Sequence, residues 1–128
     1  MTAPPISIVA GVIRDSQGRL LTVRKQGTTA FMLPGGKRDP GEDDVTALAR
    51  ELAEELGCFL VESRALGVFT APAANEPYTQ VEGAIYHATI RGEVTAQAEI
   101  AELLWIDPQA PATVRLAPLL ETQVLPRL

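Results

Sequence analysis

The chain of 128 residues carries one cysteine, one histidine and one tryptophan, and aromatic residues make up only 5% of it. A lone cysteine, Cys58, cannot close an internal disulfide, which suits a reducing, cytoplasmic setting. It has no cationic neighbour in sequence and reads as an inert thiol. The lone histidine, His87, falls in the middle of an expected strand and reads as structural rather than catalytic. No apolar run is long enough to span a bilayer, so no membrane partner is expected. The opening MTAPPIS lacks a basic region followed by an apolar block, which argues against a secretory signal. Basic charge is scarce too: 11 lysines and arginines face 16 acids, for a net charge of -5. That argues against a nucleic-acid polymer as the main partner. A phosphorylated small molecule stays open, because a bound cation can supply the missing positive charge. Neither an internal repeat nor a low-complexity block is visible.

What remains is an ordinary globular composition, 46% hydrophobic, in one expected domain over residues 1–128 with a flexible tail at 1–5. Strands are expected at 6–13 and 19–25, joined as a hairpin through the turn Asp15-Ser16-Gln17-Gly18. A short strand at 31–33 ends at Pro34. One or two strands are expected over 59–70, a loop over 71–80 with two prolines, a strand at 81–90, a turn region at 91–98 and a short strand at 103–106. A C-terminal helix is expected over 116–125. Strands interleaved with two helices indicate a mixed α/β chain of α+β type, a mixed sheet with helices packed on its faces.

The most informative stretch is GKRDPGEDDVTALARELAEELGC, from Gly36 to Cys58. Pro40-Gly41 makes a turn, Asp43 is placed as N-cap and Gly57 as the C-terminal stop of a helix. Val45, Leu48, Ala49, Leu52 and Leu56 recur with helical period and form its core face. Glu51, Glu54 and Glu55 stand at i, i+3 and i+4, so they share the adjoining edge. Like charges so spaced weaken a bare helix by about 0.2–0.5 kcal/mol per pair. Solvation is one resolution of that repulsion. The other is a hard divalent cation with oxygen ligands.

The spacing of Gly36, Glu42, Arg50-Glu51-Leu52, Glu54-Glu55 and Gly57 resembles the signature of the Nudix hydrolases, the MutT-like family. The departure is Cys58, where that family usually has an aliphatic residue, and a free cysteine serves there as a small hydrophobe. The resemblance implies an α/β/α sandwich around a mixed sheet, and Mg²⁺-dependent hydrolysis of a nucleoside diphosphate linked to another group, with Mn²⁺ as a substitute. The substrate would be a small nucleotide: a nucleoside triphosphate or a nucleotide sugar such as ADP-ribose. Divalent ions can clamp a pyrophosphate and lower the pKa of a bound water.

Carried over position by position, Glu51, Glu54 and Glu55 are implied as metal ligands, one of them also as the base. A carbonyl of the glycine loop, at Gly35, joins the metal shell. Glu42 resembles the acid that pairs with Arg50 as structural support. Lys37 resembles a lysine that approaches the substrate phosphates, and Gly36 lets the backbone come close to a ligand. A late metal ligand from a distant loop matches Glu99, with Glu102 and Glu76 as alternatives. Arg24, Phe31, Tyr78 and Trp105 are candidates for the base or sugar pocket, with core packing the better reading for Trp105. The competing class is a catalytically silent nucleotide sensor. Such domains commonly lack a motif glutamate, and all three are present. A homodimer is compatible with everything in the sequence.

Overall fold

The computed structural model describes residues 4–128; the first three residues of the expected tail, Met1–Ala3, lie outside that range. Strand β1, Ile6–Val12, runs through the middle of the fold. Strand β2 spans Leu20–Lys25 and the two-residue β3 spans Gly35–Gly36. Helix α1 is Asp44–Leu56, followed by β4, Phe59–Pro72, β5, Gln80–Arg91, and β6, Ile100–Ile106. A four-stranded sheet has the order β3-β1-β5-β4, and β2 pairs with β6 in a second sheet. The β1–β5 pair is parallel; the other ladders are antiparallel. This is the expected mixed α+β architecture. Among the described residues no helix is long and apolar enough to cross a membrane.

The expected hairpin is not a ladder. Past Val12 the chain leaves the first sheet, and β1 and β2 keep only the Leu21 N–H bond to the Ile13 carbonyl and a single bridge between Arg14 and Leu20. The turn chemistry of Asp15 is nevertheless there, its carboxylate accepting from the backbone N–H of Gln17 and Arg19. A local turn signal fixes a reversal of direction, not which strand becomes the partner. The strand expected at 31–33 is likewise absent: Phe31 and Met32 make isolated bridges to Leu116 and Val23.

Helix α1 follows its sequence signals closely. The Asp43 carboxylate accepts from the Thr46 N–H at 2.8 Å, one of the donors every helix leaves unpaired at its start. Gly57 ends it in the left-handed region, φ 70°, its N–H bonded to the Ala53 carbonyl, a conformation that costs residues with a Cβ. Leu48, Leu52 and Leu56 are wholly buried against β1 and β5. Each contributes about 1.5–3 kcal/mol of hydrophobic burial. Val45 is an exception: it is exposed, and Ala47 takes its place in the core.

The opposite face of the sheet is covered by Leu116, Leu119, Leu120 and Val124. The expected helix over 116–125 is shorter and wider than the pattern suggested. Leu116 is extended alongside Phe31, and helical structure begins only after Ala117, with Leu119–Val124 a π turn in which the Leu125 N–H reaches the Leu120 carbonyl. A 3₁₀ turn, Leu125–Arg127, finishes it. Pro118 and Pro126 bound the segment, and Pro126 has no N–H with which to extend it.

The start of α1 is tied to the sheet through Asp44. Arg38 donates to one of its oxygens and the Tyr86 hydroxyl to the other, each at 2.6 Å. The Arg38 bond chiefly, and then the Tyr86 bond, holds the Asp44 carboxyl below its ordinary pKa. A carboxyl depressed in the folded state adds stability above its unfolded pKa of about 3.9, and loses it as pH falls through the folded value. Asp44→Asn is therefore expected to cost about 1–2 kcal/mol at neutral pH. The difference from wild type, measured by urea denaturation, should shrink steadily below about pH 4. A gap independent of pH would show that the charge of Asp44 plays no part.

Candidate active site

The glycine turn and the acidic edge of α1 meet at β3. Gly35 has φ 153°, and a side chain there would drive into the Val9 carbonyl and the Ala10 backbone. A Cβ on Gly36 would come within 2.7 Å of the Glu51 carboxylate. Gly36, without a side chain, thus lets α1 lie directly against the backbone of β3, while Gly35 lets β3 close on β1. In the gap sits Glu55, whose residue is only 2% exposed. Its Oε1 accepts from the Gly35 N–H at 3.1 Å. Burial pushes this carboxyl up to about 8; the Gly35 N–H opposes the rise and the neighbouring Glu51 adds to it.

Above Glu55 lies a cleft of about 320 Å³ lined by Lys25, Gly35, Gly36, Lys37, Glu51, Glu76 and Glu99, with Ile6 and Ile8 at its side. Glu99 reaches it because the segment before β6 docks on the end of α1. The carbonyls of Glu55 and Leu56, which a helix leaves free at its C-terminus, accept from the N–H groups of Gln97 and Thr95. Lys25 faces Glu99 at 3.4 Å. Beside this cleft is an apolar cavity of about 170 Å³, walled by Met32, Leu33, Val81 and Leu119 and by the loop after β4. A wider opening of about 540 Å³ continues past that loop to Thr28, Thr29 and Arg115.

Arg50 organises the acids around it. Its guanidinium makes two bonds of 2.8 Å to Glu42, one of 3.0 Å to Glu51 and one to the Lys37 carbonyl. Asp39 lies 3.1 Å away and Glu54 3.6 Å. The Arg50 bonds, helped by the Asp39 N–H, hold the Glu42 carboxyl down at about 2. The glycine loop is therefore clamped to α1 by a fork that a point charge could not reproduce.

Of the site residues read from sequence, Gly35, Gly36, Lys37, Glu51 and Glu99 border one cleft and Glu55 lies beneath it. Glu54 does not line the cleft; its side chain is half-exposed and turned toward Arg50. Of the alternatives to Glu99, Glu76 also lines the cleft, whereas Glu102 pairs with Arg24 on the far side of the β2–β6 ribbon. Arg24 and Phe31 are not in the cleft. Phe31 is core, with Arg24 lying over its ring and donating to the Thr28 carbonyl. Tyr78 is fully exposed, and Trp105 packs partly against the core. His87 is paired across the sheet with Arg64, and Cys58 is buried. Lys25, Asn75 and Arg115 went unnoticed in sequence. Each lies outside any motif, and only the packing of the chain brings Lys25 to the cleft, Asn75 to the apolar cavity beside it and Arg115 to the wider opening.

Among the described residues no three acidic side chains converge closely enough to enclose an ion on their own. The donor set nonetheless fits a hard cation. Glu55 is a buried carboxyl with a single hydrogen-bond donor, Glu51 and Glu99 act on it through space, and all three offer oxygen, the ligand a hard cation takes.

Comparison with known proteins identifies the family. A family model for the NUDIX domain matches residues 4–127. A Bacillus subtilis (strain 168) protein described provisionally as an 8-oxo-dGTP diphosphatase is 32% identical over 97 residues, 76% of this chain and 62% of that protein. The 8-oxo-dGTP diphosphatase of Haemophilus influenzae is 45% identical over 56 residues, 41% of each chain. The matches thus span about half the length of these relatives. Among solved structures, a MutT NUDIX hydrolase from Burkholderia pseudomallei superposes with a TM-score of 0.74 at 25% identity, covering 88% of this chain and 91% of that one. With the glycine turn, the capped acidic helix and the mixed sheet all matched along almost its whole length, the chain belongs to the Nudix family.

Proposed function

We propose that this chain is a divalent-cation-dependent pyrophosphohydrolase acting on nucleoside triphosphates. The observation that carries the reading is Glu55: a carboxyl buried under the Gly35 N–H, at the floor of a cleft bordered by Lys25, Lys37, Glu51 and Glu99. Burying an acid in this way costs stability unless a proton or a cation neutralises it. Relatives described as 8-oxo-dGTP diphosphatases support the triphosphate as substrate class. The compact apolar cavity of about 170 Å³ beside the cleft suits the flat apolar faces of a base.

In this reading Glu51, Glu54, Glu55, Glu99 and the Gly35 carbonyl would hold Mg²⁺, or Mn²⁺ in its place. A bound divalent ion would neutralise the diphosphate and make phosphorus easier to attack. Lys25 and Lys37 would neutralise the phosphate oxygens that the ion leaves free. One of the helix carboxylates would accept the proton of the attacking water. Water adds at one phosphorus, the bridging P–O bond breaks, and nucleoside monophosphate and pyrophosphate leave. Arg50 does not touch substrate; it fixes the loop and orients Glu51. A single buried cysteine suits a cytoplasmic enzyme.

The reading is tested by hydrolysis of nucleoside triphosphates, with nucleotide sugars such as ADP-ribose in parallel, in Mg²⁺, in Mn²⁺ and in a chelator. Activity should require the ion and favour triphosphates. Glu54→Gln and Glu55→Gln should each reduce kcat by about two orders of magnitude or more, the scale of losing one such group. The melting temperature of Glu55→Gln in chelator should hold or rise, since a neutral amide is cheaper to bury than a carboxylate. Near-normal turnover in either variant at saturating Mg²⁺ would remove the residue from the site.

Arg50→Ala should lose both stability and activity, because it strands Glu42, Glu51 and the Lys37 carbonyl together. Arg50→Lys should recover little of either, having no planar fork. Thermal melts alongside steady-state rates would show it. An unchanged melting temperature in Arg50→Ala would mean that water serves Glu42 as well as the guanidinium does.

A further inference from the structure

The loop that follows β4 is the least anchored part of the candidate site and the most central to it. Ala73, Ala74, Asn75 and Glu76 line both the apolar cavity and the wider opening next to it, and Glu76 also borders the acidic cleft. The loop is the wall these spaces share. It supplies two of the three polar side chains that line the apolar cavity, Asn75 and Glu76; the third is Lys25. Any polar edge of a ligand inserted between Met32, Val81 and Leu119 would meet chiefly this loop.

The base of the loop is closed by the Ala73 N–H bonded to the Thr79 carbonyl at 2.8 Å. Within it, the Thr79 hydroxyl caps the Pro77 carbonyl. Among the described residues only one side chain from elsewhere bonds to it. Arg115 donates to the Ala74 carbonyl at 2.9 Å and, with its other terminal nitrogen, to the Thr29 hydroxyl at 2.8 Å. The second attachment point is itself held. Thr28 bonds back to the Lys25 carbonyl through both its N–H and its hydroxyl, and its own carbonyl accepts from Arg24. One guanidinium therefore joins a fixed turn to a loop that has no other outside tether.

We propose that Arg115 is a positioning residue for substrate selection. By tying Ala73–Pro77 to the Thr28–Thr29 turn, it fixes the wall that takes the non-phosphate end of the nucleotide and presents Asn75 to the base. This rests on the pyrophosphohydrolase reading above. It goes beyond that reading, because Arg115 lies at neither the acids nor the phosphate-facing lysines. Its backbone is held independently of its side chain: the Phe31 N–H bonds to the Arg115 carbonyl, and the Ala117 N–H to the Phe31 carbonyl. Truncating the side chain should free the loop and leave the fold.

The experiment compares wild type, Arg115→Ala, Arg115→Lys, Asn75→Ala and the Arg115→Ala/Asn75→Ala double variant. Amide hydrogen exchange is followed on the free proteins, and kcat and KM are measured for dGTP, dATP, dCTP and dTTP with Mg²⁺. Exchange across 73–79 should quicken in Arg115→Ala with little change elsewhere. KM for the preferred nucleotide should rise about tenfold, the scale of one or two charge-assisted hydrogen bonds at a solvated site, with kcat held within about twofold. Arg115→Lys should fail to restore it, since an ammonium lacks the two-pronged geometry. The double variant should be little worse than Asn75→Ala, because both act through one loop. Unchanged exchange in Arg115→Ala, a fall in kcat at constant KM, or full rescue by lysine would each overturn the proposal. If wild type hydrolyses neither these four nor any other nucleoside triphosphate, 8-oxo-dGTP included, the pyrophosphohydrolase reading fails, and the exchange comparison still decides whether Arg115 tethers the loop.

Discussion

The close approach of β3 to its two neighbours, through Gly36 to α1 and through Gly35 to β1, is the constraint from which the rest of this site follows. A helix can approach a strand to within reach of its backbone only where the strand has no side chains to keep it away. At Gly35 and Gly36 a Cβ would meet the β1 backbone and the Glu51 carboxylate respectively. That closeness buries Glu55 and lets the Gly35 N–H donate to it. It also brings the glycine loop under the reach of Arg50, whose bonds to Glu42 and Lys37 hold the loop over the helix. The same side of α1 therefore does two jobs. Leu48, Leu52 and Leu56 fasten it to the sheet, and the acids beside them are carried to the edge of the cleft.

Two further contacts keep that placement from drifting. At its start, α1 is held by Asp44, bonded to Arg38 and Tyr86, and Arg38 in turn donates to Ser7 on β1. At its end, the freed carbonyls of Glu55 and Leu56 accept from the segment that leads into β6 and carries Glu99. Both ends are satisfied by different parts of the chain. The helix is thus a fixed reference between the main sheet and the β2–β6 ribbon. Acids from two distant places, residues 51–55 and residue 99, then share one cleft.

The helix, its caps and its acidic edge were legible in the sequence because all of their signals are local. Asp43 caps Thr46, Gly57 stops the chain in the left-handed region, and the leucines repeat at helical period within a few residues of one another. The mixed sheet was legible as a class. Its pairing was not. β1 and β2 look like a hairpin since the Asp15 turn is real, yet their partners are β5 and β6, more than 70 residues away along the chain. The C-terminal helix was overread because apolar spacing from Leu116 to Leu125 carries no warning that Leu116 pairs with Phe31. Phe31 and Arg24 were drawn into the pocket by residue type, an aromatic face and a phosphate-binding cation. Their true neighbours are each other and Glu102, a cross-strand contact that spacing cannot reveal.

Charge shows how an acidic chain can serve an anionic substrate. The cleft presents Lys25 and Lys37 against Glu51, Glu76 and Glu99, with Glu55 beneath. Lys25 is partly answered by Glu99 already, at 3.4 Å. Acids outnumber bases, so the bare cleft disfavours a polyphosphate, in keeping with the net charge of -5. A site of this sign becomes attractive to phosphate only when a divalent ion enters first or enters with the substrate. On the proposed reading, the acidic excess is therefore itself a selectivity device. A free triphosphate is repelled and its cation complex is accepted, and the buried Glu55 gains its neutralising partner in the same event.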